Sequence, residues 1–270
     1  MTGSLGEKIG EGVFSDVHAW APGQVVKLFR AGVRRRTCWW EARMTRAAFA
    51  AGAPAPEVLD EVTVDGRFGI VLTRLDGLTL SQLSRSGAMT PEQTGAILAS
   101  LYISLHNTPP PPEVLSLYNW IDGSLRLAVG IPKHVAAGVL TLIEHLPPGD
   151  CLCHVDLHPG NVIMTADGPR ILDWTSAVRA NAALDLACSH VLLSELIPDL
   201  VDDPERPRAV NAAAQSEYAR LAGISPAALA AAIEPHRPIV YVFALLGGAW
   251  SAQRERLIQC VEAALRSQGT

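Results

Sequence analysis

Short runs of apolar residues separated by turn residues fill the first eighty positions, a pattern typical of β-strands. A helical pattern interrupts these runs over residues 34–51 and ends at Gly52, which two prolines follow. Asp65 and Gly66 separate the last two runs and are typical of a hairpin turn. The predicted strands are residues 4–9, 13–20, 24–29, 57–64 and 68–73. The predicted order is three strands, one helix and two strands.

After the last of these strands, apolar positions recur with a helical period. Thr90 followed by Pro91 predicts a helix start, with the threonine as N-cap and the proline in the first turn. The predicted helices span residues 90–107, 113–127, 133–145, 182–197, 205–222, 226–233 and 238–267. An island of strands and loops over residues 151–173 lies between them. We therefore predict an N-terminal domain, residues 1–77, and a C-terminal domain, residues 78–270.

Composition narrows the class of protein. The chain has 270 residues, 49% of them hydrophobic and 18% charged, which argues against a disordered chain. Its longest strongly apolar stretch, residues 239–250, is too short for a membrane helix of ~20 residues, so no membrane partner is expected.

No basic segment followed by an apolar run opens the chain, so no secretory signal is expected. Five scattered cysteines suit a reducing compartment, which favours a cytoplasmic location. The net charge of −5 argues against a nucleic-acid partner.

The island carries the candidate chemistry. It contains the pattern His-x-Asp-x-x-x-x-Asn, with the aspartate at Asp156 and the asparagine at Asn161, followed by a further aspartate at Asp173. Phosphoryl transfer needs a carboxylate that orients the attacking hydroxyl and oxygen ligands that hold Mg²⁺ at the nucleotide phosphates. We assign the first task to Asp156 and the second to Asn161 and Asp173. Apolar residues around the two ligands predict a small hairpin with Asp167 and Gly168 as its turn.

The run from His154 to Asn161, which includes His-Pro-Gly-Asn, resembles the catalytic loop of the aminoglycoside phosphotransferase family. Asp173-Trp174 lies where protein kinases carry Asp-Phe-Gly. The family shares the protein-kinase-like fold with choline kinases, and the resemblance extends over residues 6–193. It implies a two-lobed α+β fold with a five-stranded antiparallel N-terminal sheet, one helix and a mainly helical C-terminal lobe. One departure is Val155, where the family usually has glycine, and we expect no effect on activity.

The resemblance also implies a nucleotide-binding set. The segment from Gly10 through Gly12 to Ser15 is similar to a kinase glycine loop. Gly-x-Gly alone is more often a plain hairpin turn, but the position before Lys27 favours the loop. Lys27 lies in an apolar strand like the kinase phosphate-binding lysine, and a lone lysine there needs a partner. Glu41, the one carboxylate of the predicted helix, is the partner that we expect.

Main-chain groups are the expected adenine contacts. The segment around Thr73 and Leu75 resembles the hinge of the fold, where the Thr73 carbonyl and the Leu75 N–H would bind the base, although an ordinary strand end describes the same residues. Asp185 is similar to the family's aspartate that accepts hydrogen bonds from the catalytic-loop backbone, the alternative being an exposed helix cap. His154 is expected to pack near the loop, and His158 to line the site.

Other interpretations fit less well. Cys151, Cys153 and His154 do not have the spacing of a common zinc site, so we expect buried cysteines. Three arginines at 34–36 suggest phosphate or nucleic-acid binding or, more simply, a solvated helix start.

A protein kinase fits less well, because it needs a long activation segment and few residues separate Asp173 from Asp185. A catalytically inactive relative usually lacks one of the groups that this chain retains.

We therefore expect an enzyme that uses ATP and Mg²⁺ to phosphorylate a hydroxyl of a small molecule, an aminoglycoside or another antibiotic first. The alternatives are a kinase of an amino alcohol, amino acid or sugar, and a non-catalytic nucleotide-binding relative. An acidic cluster after residue 197 would attract a cationic substrate or is simply a solvated loop. The cluster comprises Asp199, Asp202, Asp203 and Glu205. No motif specifies the acceptor, the choice between ATP and GTP, or the oligomeric state.

Overall fold

Five antiparallel strands form one sheet in the computed structural model, which describes residues 4–247 and 250–268. The strands are β1 (Lys8–Glu11), β2 (Ser15–Ala21), β3 (Gln24–Phe29), β4 (Val58–Val64) and β5 (Arg67–Thr73). Their order across the sheet is β1-β2-β3-β5-β4, and every neighbouring pair is antiparallel. The predicted sheet is confirmed. β1 begins later than predicted, so that Gly10 lies within the strand and the turn spans residues 12–14.

One helix, α1 (Arg35–Ala50), packs on this sheet. Cys38 and Ala42 lie one turn apart on the same face of α1, and they pack with Phe29 of β3 and Ile70 of β5. All four side chains are buried and form the core of this region. The three arginines at the start of the helix are exposed, which agrees with a solvated helix start.

The remaining strands come from the island and its surroundings. They are β6 (Leu78–Thr79), β7 (Cys151–Cys153), β8 (Val162–Thr165), β9 (Gly168–Ile171) and β10 (Val178–Ala180). The order β6-β8-β9 makes a three-stranded sheet, and β7 pairs with β10. Gly77 permits the close approach of β6 to β8, since an added Cβ would lie 2.0 Å from the Met164 carbonyl oxygen. The β8–β9 hairpin is as predicted, but its turn is residues 166–167, because Thr165 pairs with Gly168.

Helices make up most of the rest of the chain. They are α2 (Leu80–Arg85), α3 (Pro91–His106), α4 (Leu117–Leu125), α5 (Lys133–His145), α6 (Ala183–His190), α7 (Glu205–Ala222), α8 (Pro226–Ile233), α9 (Arg237–Gly247) and α10 (Arg254–Gln268). Thr90 caps α3 through its side chain, as predicted. The helix predicted over 113–127 is shorter, and the one over 182–197 continues beyond α6 as a π-helical segment, Val191–Leu196. The single helix predicted over 238–267 is wrong, because α9 ends at Gly247, where two consecutive glycines disfavour helix.

These elements group into two compact units. The first unit consists of residues up to Leu80 together with Gly160–Thr175. The second unit consists of Ser81–Pro159 and the residues from Ser176 onward. Hydrogen bonds to the short segment explain why it belongs to the first unit. Ile171 N–H donates to the Pro54 carbonyl at 2.7 Å, and the Trp40 indole donates to the Thr175 carbonyl at 2.9 Å. The division into domains 1–77 and 78–270 stays a prediction.

The stretch Pro226–Gly247 is long and apolar enough, by length and composition alone, to span a membrane. More than half of its most apolar window, 56%, is buried inside the protein, and buried helices of soluble proteins meet the same criteria. Ile239, Val240 and Val242 of α9 are each at most 2% exposed. This stretch therefore serves as a core helix of the second unit.

Helices α3 and α7 pack closely in the second unit because α3 carries Gly95 at the contact. A Cβ added there would lie 2.6 Å from the Cβ of Ala213 and from the backbone nitrogen of Ala214. Gly123 of α4 provides a contrast, since nothing lies within 4 Å of its added Cβ.

Replacement of these two glycines by alanine should have opposite effects. Gly123→Ala should stabilise the protein by about 0.5–1 kcal/mol, because alanine is the better helix former. Gly95→Ala should destabilise it by about 1–3 kcal/mol, because the clash outweighs the helix propensity. Urea unfolding followed by circular dichroism measures both. Equal effects of the two substitutions would show that α3 and α7 are not packed as described.

Candidate active site

Lys27 and Glu41 form an ion pair in the first unit, as predicted from the sequence. The Lys27 ammonium donates to Glu41 Oε1 at 2.5 Å, and only 16% and 8% of the two side chains are exposed. Burial alone would lower the pKa of Lys27, but the carboxylates of Glu41 and Asp173 outweigh burial and raise it. The lysine is therefore a fixed positive charge held by a carboxylate from α1.

Asp173 brings a second carboxylate to this lysine. Its Oδ2 lies 3.5 Å from Lys27 Nζ, and its Oδ1 accepts a hydrogen bond of 2.9 Å from the Thr175 hydroxyl. The residue has φ +59°, a left-handed conformation that aspartate tolerates better than most residues. Its side chain is 41% exposed, so a carboxylate oxygen is accessible to a ligand.

Asn161 and Asp173 lie at the same end of the β8–β9 hairpin. Val162 pairs with Ile171, and Leu172 N–H donates to the Asn161 carbonyl at 2.8 Å. The hairpin therefore brings the two predicted metal ligands to neighbouring positions. An amide oxygen beside a carboxylate suits a hard divalent cation such as Mg²⁺, so these residues fit the predicted metal.

The predicted glycine loop joins β1 to β2. Gly12 N–H donates to the Ser15 carbonyl at 2.8 Å, which closes a tight turn, and the Ser15 side chain is buried. An added Cβ on Gly10 or on Gly12 would approach other atoms no closer than 3.5 Å, and neither glycine has a positive φ. The fold itself therefore does not require glycine at these two positions.

The predicted hinge follows the C-terminal end of β5, an inner strand of the five-stranded sheet. Thr73 is the last residue of β5, its N–H donates to the Glu57 carbonyl, and its side-chain hydroxyl accepts from Glu57 N–H, both at 3.0 Å. Arg74 N–H donates to the Gly23 carbonyl at 2.9 Å. Leu75 follows in a segment without regular secondary structure. The adenine contacts of Thr73 and Leu75 stay predictions.

In the second unit, Asp185 holds the loop that carries Asp156. Its Oδ2 accepts from His154 N–H at 3.0 Å, and its Oδ1 accepts from Val155 N–H at 2.6 Å. Asp185 is fully buried, which confirms the predicted bracing role and excludes an exposed helix cap. The loop continues to Asp156, whose N–H donates to His154 Nδ1 at 3.2 Å. The Asp156 side chain is 42% exposed, so its carboxylate is accessible to a substrate.

Three residues that the sequence analysis missed complete this support. The Tyr102 hydroxyl of α3 donates to the Leu157 carbonyl at 2.7 Å. His106 lies one turn further along α3, and its Nε2 is 3.2 Å from Asp185 Oδ2. Its Nδ1 is 2.9 Å from the Tyr218 hydroxyl. The spacing of Tyr102 and His106 on one helix face is the signal that was available, but an ordinary core face gives the same pattern.

His154 packs beside the loop as expected, whereas the lining of the site by His158 stays a prediction. His154 is fully buried, and the imidazole of His158 lies 3.9 Å from the Asp156 carboxylate. The described residues bring Cys153 together with His106 and Asp185, whose possible ligand atoms lie within 4.8 Å of one another. Burial raises the pKa of the Cys153 thiol, as expected for an unreactive core cysteine.

The chain matches the phosphotransferase enzyme family over residues 14–224, a range that contains Lys27, Glu41, Asp156, Asn161 and Asp173. It belongs to this family. The prediction of a phosphotransferase enzyme is thereby confirmed. No curated protein sequence matches the chain.

Solved structures show the same fold. A choline/ethanolamine kinase family protein from Mesorhizobium loti has a TM-score of 0.57 at 18% identity, covering 98% of this chain and 88% of that one. An aminoglycoside-3′-phosphotransferase of type VIII has a TM-score of 0.59 at 19% identity, covering 87% and 94%. A ternary complex of APH(2″)-IIa with streptomycin and ATP has a TM-score of 0.56 at 17% identity, covering 98% and 92%. The predicted α+β protein-kinase-like fold is confirmed.

At position 155 this phosphotransferase has valine, where glycine was expected. The residue has φ +65°, in the left-handed region where a β-branched side chain is strained. The expectation that this departure has no effect on activity stays a prediction, but the departure does affect the backbone conformation that the residue must adopt. Asp185 holds the Val155 N–H, the Cys188 thiol donates to the Val155 carbonyl, and the side chain is only 3% exposed.

Exchange of the Asp185 carboxylate for an amide should destabilise this phosphotransferase strongly. Asp185→Asn places an amide where two oxygens accept backbone N–H groups, and it should cost about 3 kcal/mol. Asp122→Asn is the matched control: Asp122 bonds Arg126 one turn along α4, and the exchange should cost at most about 0.5 kcal/mol. Urea unfolding measures both. A small effect at Asp185 would contradict the bracing role.

The strain at Val155 can be isolated by comparing alanine with glycine. Val155→Gly should be more stable than Val155→Ala by about 1 kcal/mol, because only glycine adopts the left-handed conformation without strain. At the buried helix residue Val135, glycine should instead be less stable than alanine by about 1 kcal/mol. The sign of each difference is measured by chemical unfolding. The same sign at both sites would refute strain at Val155.

Proposed function

We propose that this phosphotransferase transfers the γ-phosphate of ATP to a hydroxyl group of a small molecule. The observation that carries the proposal is the position of Lys27, held at 2.5 Å by Glu41 and at 3.5 Å from Asp173. A buried lysine fixed between two carboxylates suits a phosphate contact, because it provides charge without needing to rearrange. ATP as the donor is also supported by the ATP complex of a structural neighbour.

Each residue then has a positional task. Lys27 contacts the nucleotide phosphates beneath the turn that follows Gly10 and includes Gly12. Asp156 accepts a hydrogen bond from the acceptor hydroxyl and orients its oxygen for in-line attack on the γ-phosphorus. The O–P bond to the acceptor forms as the bond from phosphorus to the ADP oxygen breaks, and the hydroxyl proton leaves towards the Asp156 carboxylate. Positioning and charge neutralisation supply the rate.

Asn161 and Asp173 would hold Mg²⁺. When bound, the metal ion neutralises the negative charge that the phosphates carry. The role of this chain is to present two oxygen ligands from the ends of one hairpin. Thr175 supports that role, since its hydroxyl fixes one carboxylate oxygen of Asp173 and leaves the other directed towards Lys27.

The acceptor that we propose first is an aminoglycoside or another antibiotic, and an amino alcohol such as choline is the alternative. Support comes from neighbours whose names are those of aminoglycoside phosphotransferases and of choline kinases. All of these acceptors combine a hydroxyl with an amine or ammonium group. A protein acceptor is disfavoured, because only residues 174–184 separate Asp173 from Asp185.

The acidic cluster of the second unit contributes little to attracting a cation. Three of its four carboxylates are paired with arginines: Asp199 with Arg256 at 2.6 Å, Asp203 with Arg206 at 3.3 Å and Glu205 with Arg208 at 2.6 Å. Only Asp202 has no ion-pair partner among the described residues. The cluster therefore behaves as a solvated, nearly neutral surface, and recognition of a cationic acceptor falls to other residues.

Asp156→Ala should remove turnover while the enzyme still binds nucleotide. The rate of ADP release with Mg²⁺ and ATP, measured in a coupled assay across aminoglycosides, macrolides, choline, homoserine and simple sugars, should fall by about 10²–10⁴-fold for the acceptor that is turned over. Binding of ATP, measured by calorimetry, should be unchanged, because Asp156 acts on the acceptor.

Asp167→Ala is the control, since Asp167 is an exposed residue of the hairpin turn. It should keep the full rate. An Asp156→Ala enzyme with normal turnover would contradict the assignment of Asp156. Nucleotide binding without turnover of any acceptor by the unmodified enzyme would favour the non-catalytic alternative.

A further inference from the structure

A cavity of about 310 Å³ lies within the second unit, away from Asp156 along the strand pair. It is lined by residues of the β7–β10 region, the start of α4, the end of α5 and His236. Arg179, Ala180 and Asn181 line it at the end of the pair where Cys151 faces Ala180. The chain that leads to Asp156 leaves from the other end, after Cys153. The cavity is thus separated from the catalytic loop by the length of β7.

His236 contributes a polar atom that the protein leaves unsatisfied. The residue is 3% exposed, and its Nδ1 lies 3.0 Å from the Ala232 carbonyl oxygen. A carbonyl only accepts, so Nδ1 carries the proton and Nε2 carries a lone pair. Nε2 has no hydrogen-bond partner among the described residues. Burial lowers the pKa of His236, which keeps the ring neutral.

Two other polar side chains around the cavity, those of Asn181 and Ser116, are already bonded. Asn181 Oδ1 accepts from Ala183 N–H at 3.0 Å, and its Nδ2 donates to the Pro148 carbonyl at 3.4 Å. The Ser116 hydroxyl oxygen accepts from Asn119 N–H at 3.3 Å. His236 Nε2 is not among the enclosed side-chain atoms without a partner, which in the described residues are Gln215 Nε2 and Arg237 Nε, so its lone pair is accessible to a ligand that carries a donor.

Charge and shape define the ligand further. Asp150 and Arg179 are the charged lining residues, they have opposite signs, and they lie 3.8 Å apart at an exposed position. The cavity therefore favours no net charge. Leu117, Ile143 and Leu146 supply apolar walls. The volume lies at the lower end of the range for small-molecule sites, about 300–1,000 Å³.

We propose that this cavity is a second binding site, for a small uncharged molecule with an apolar body and one hydroxyl or N–H donor. The donor bonds to His236 Nε2, and the apolar body fills the space beside Leu146. The site is independent of the phosphotransfer reaction, so its test does not rely on the proposed function.

Phenol and anisole are the probes, since they share an aromatic body but only phenol carries a donor. Titration of the full chain is followed by NMR of ¹⁵N-labelled histidine side chains. Phenol should shift the Nε2 signal of His236 in a saturable manner, and anisole should bind roughly fivefold more weakly, because it leaves the acceptor unpaired. His145 is the internal control: its Nδ1 is bonded in the same way to the Thr141 carbonyl at 2.7 Å, but it is exposed and does not line the cavity.

Two variants keep the proposal open to refutation. Leu146→Trp fills the cavity without touching the imidazole and should abolish the phenol shift. His236→Phe removes the acceptor and should make phenol and anisole bind equally, while His145→Phe should preserve the difference. A His236 signal that phenol does not move, or equal binding of the two probes to the unmodified protein, would overturn the proposal. So would phenol binding that survives in Leu146→Trp.

Discussion

The Asp185 carboxylate is the interaction on which the arrangement of the second unit depends. A carboxylate without exposure to water is expensive unless donors surround it, and here the donors are two consecutive backbone N–H groups and the His106 ring. Those N–H groups belong to the residues directly before Asp156. The loop stabilises the buried carboxylate by donating these hydrogen bonds. The carboxylate in turn holds the loop backbone in place by accepting them. This mutual dependence fixes the backbone that presents Asp156.

The first unit uses the same principle with opposite charges. Lys27 is buried in a strand and is stable there only because Glu41 and Asp173 face it. Glu41 comes from α1, and Asp173 comes from a segment far along the chain that joins the first unit. The two ion pairs of Lys27 therefore form only when the helix and that segment are both in position. A charge held in this way suits the proposed phosphate contact, because electrostatic stabilisation of phosphoryl transfer favours groups that need not rearrange.

The sequence predicted those parts that local pattern and chemistry determine. Residues 24–29 have the strand bounds found in β3, and Glu41 was the one carboxylate on the helix that faces Lys27. It failed where tertiary packing decides. The roles of Tyr102 and His106 depend on which loop lies against α3. The sequence of a helix face does not show whether that face packs against core side chains or donates a hydrogen bond to a loop carbonyl.

Val155 shows how a strained position can still support function. A left-handed conformation costs a β-branched residue about 1–2 kcal/mol, whereas a hydrogen bond to a charged group contributes about 1.5–3 kcal/mol. The bond from Val155 N–H to Asp185 is of that second kind, and the bond from Cys188 to the Val155 carbonyl adds to it. Asp173, a left-handed residue of the first unit, likewise has its side chain held by a hydrogen bond, from the Thr175 hydroxyl. Glycine would adopt this left-handed conformation without strain. In this chain, buried hydrogen bonds hold valine in the same conformation. The position of Asp156 therefore depends on the contacts of Asp185 and Cys188.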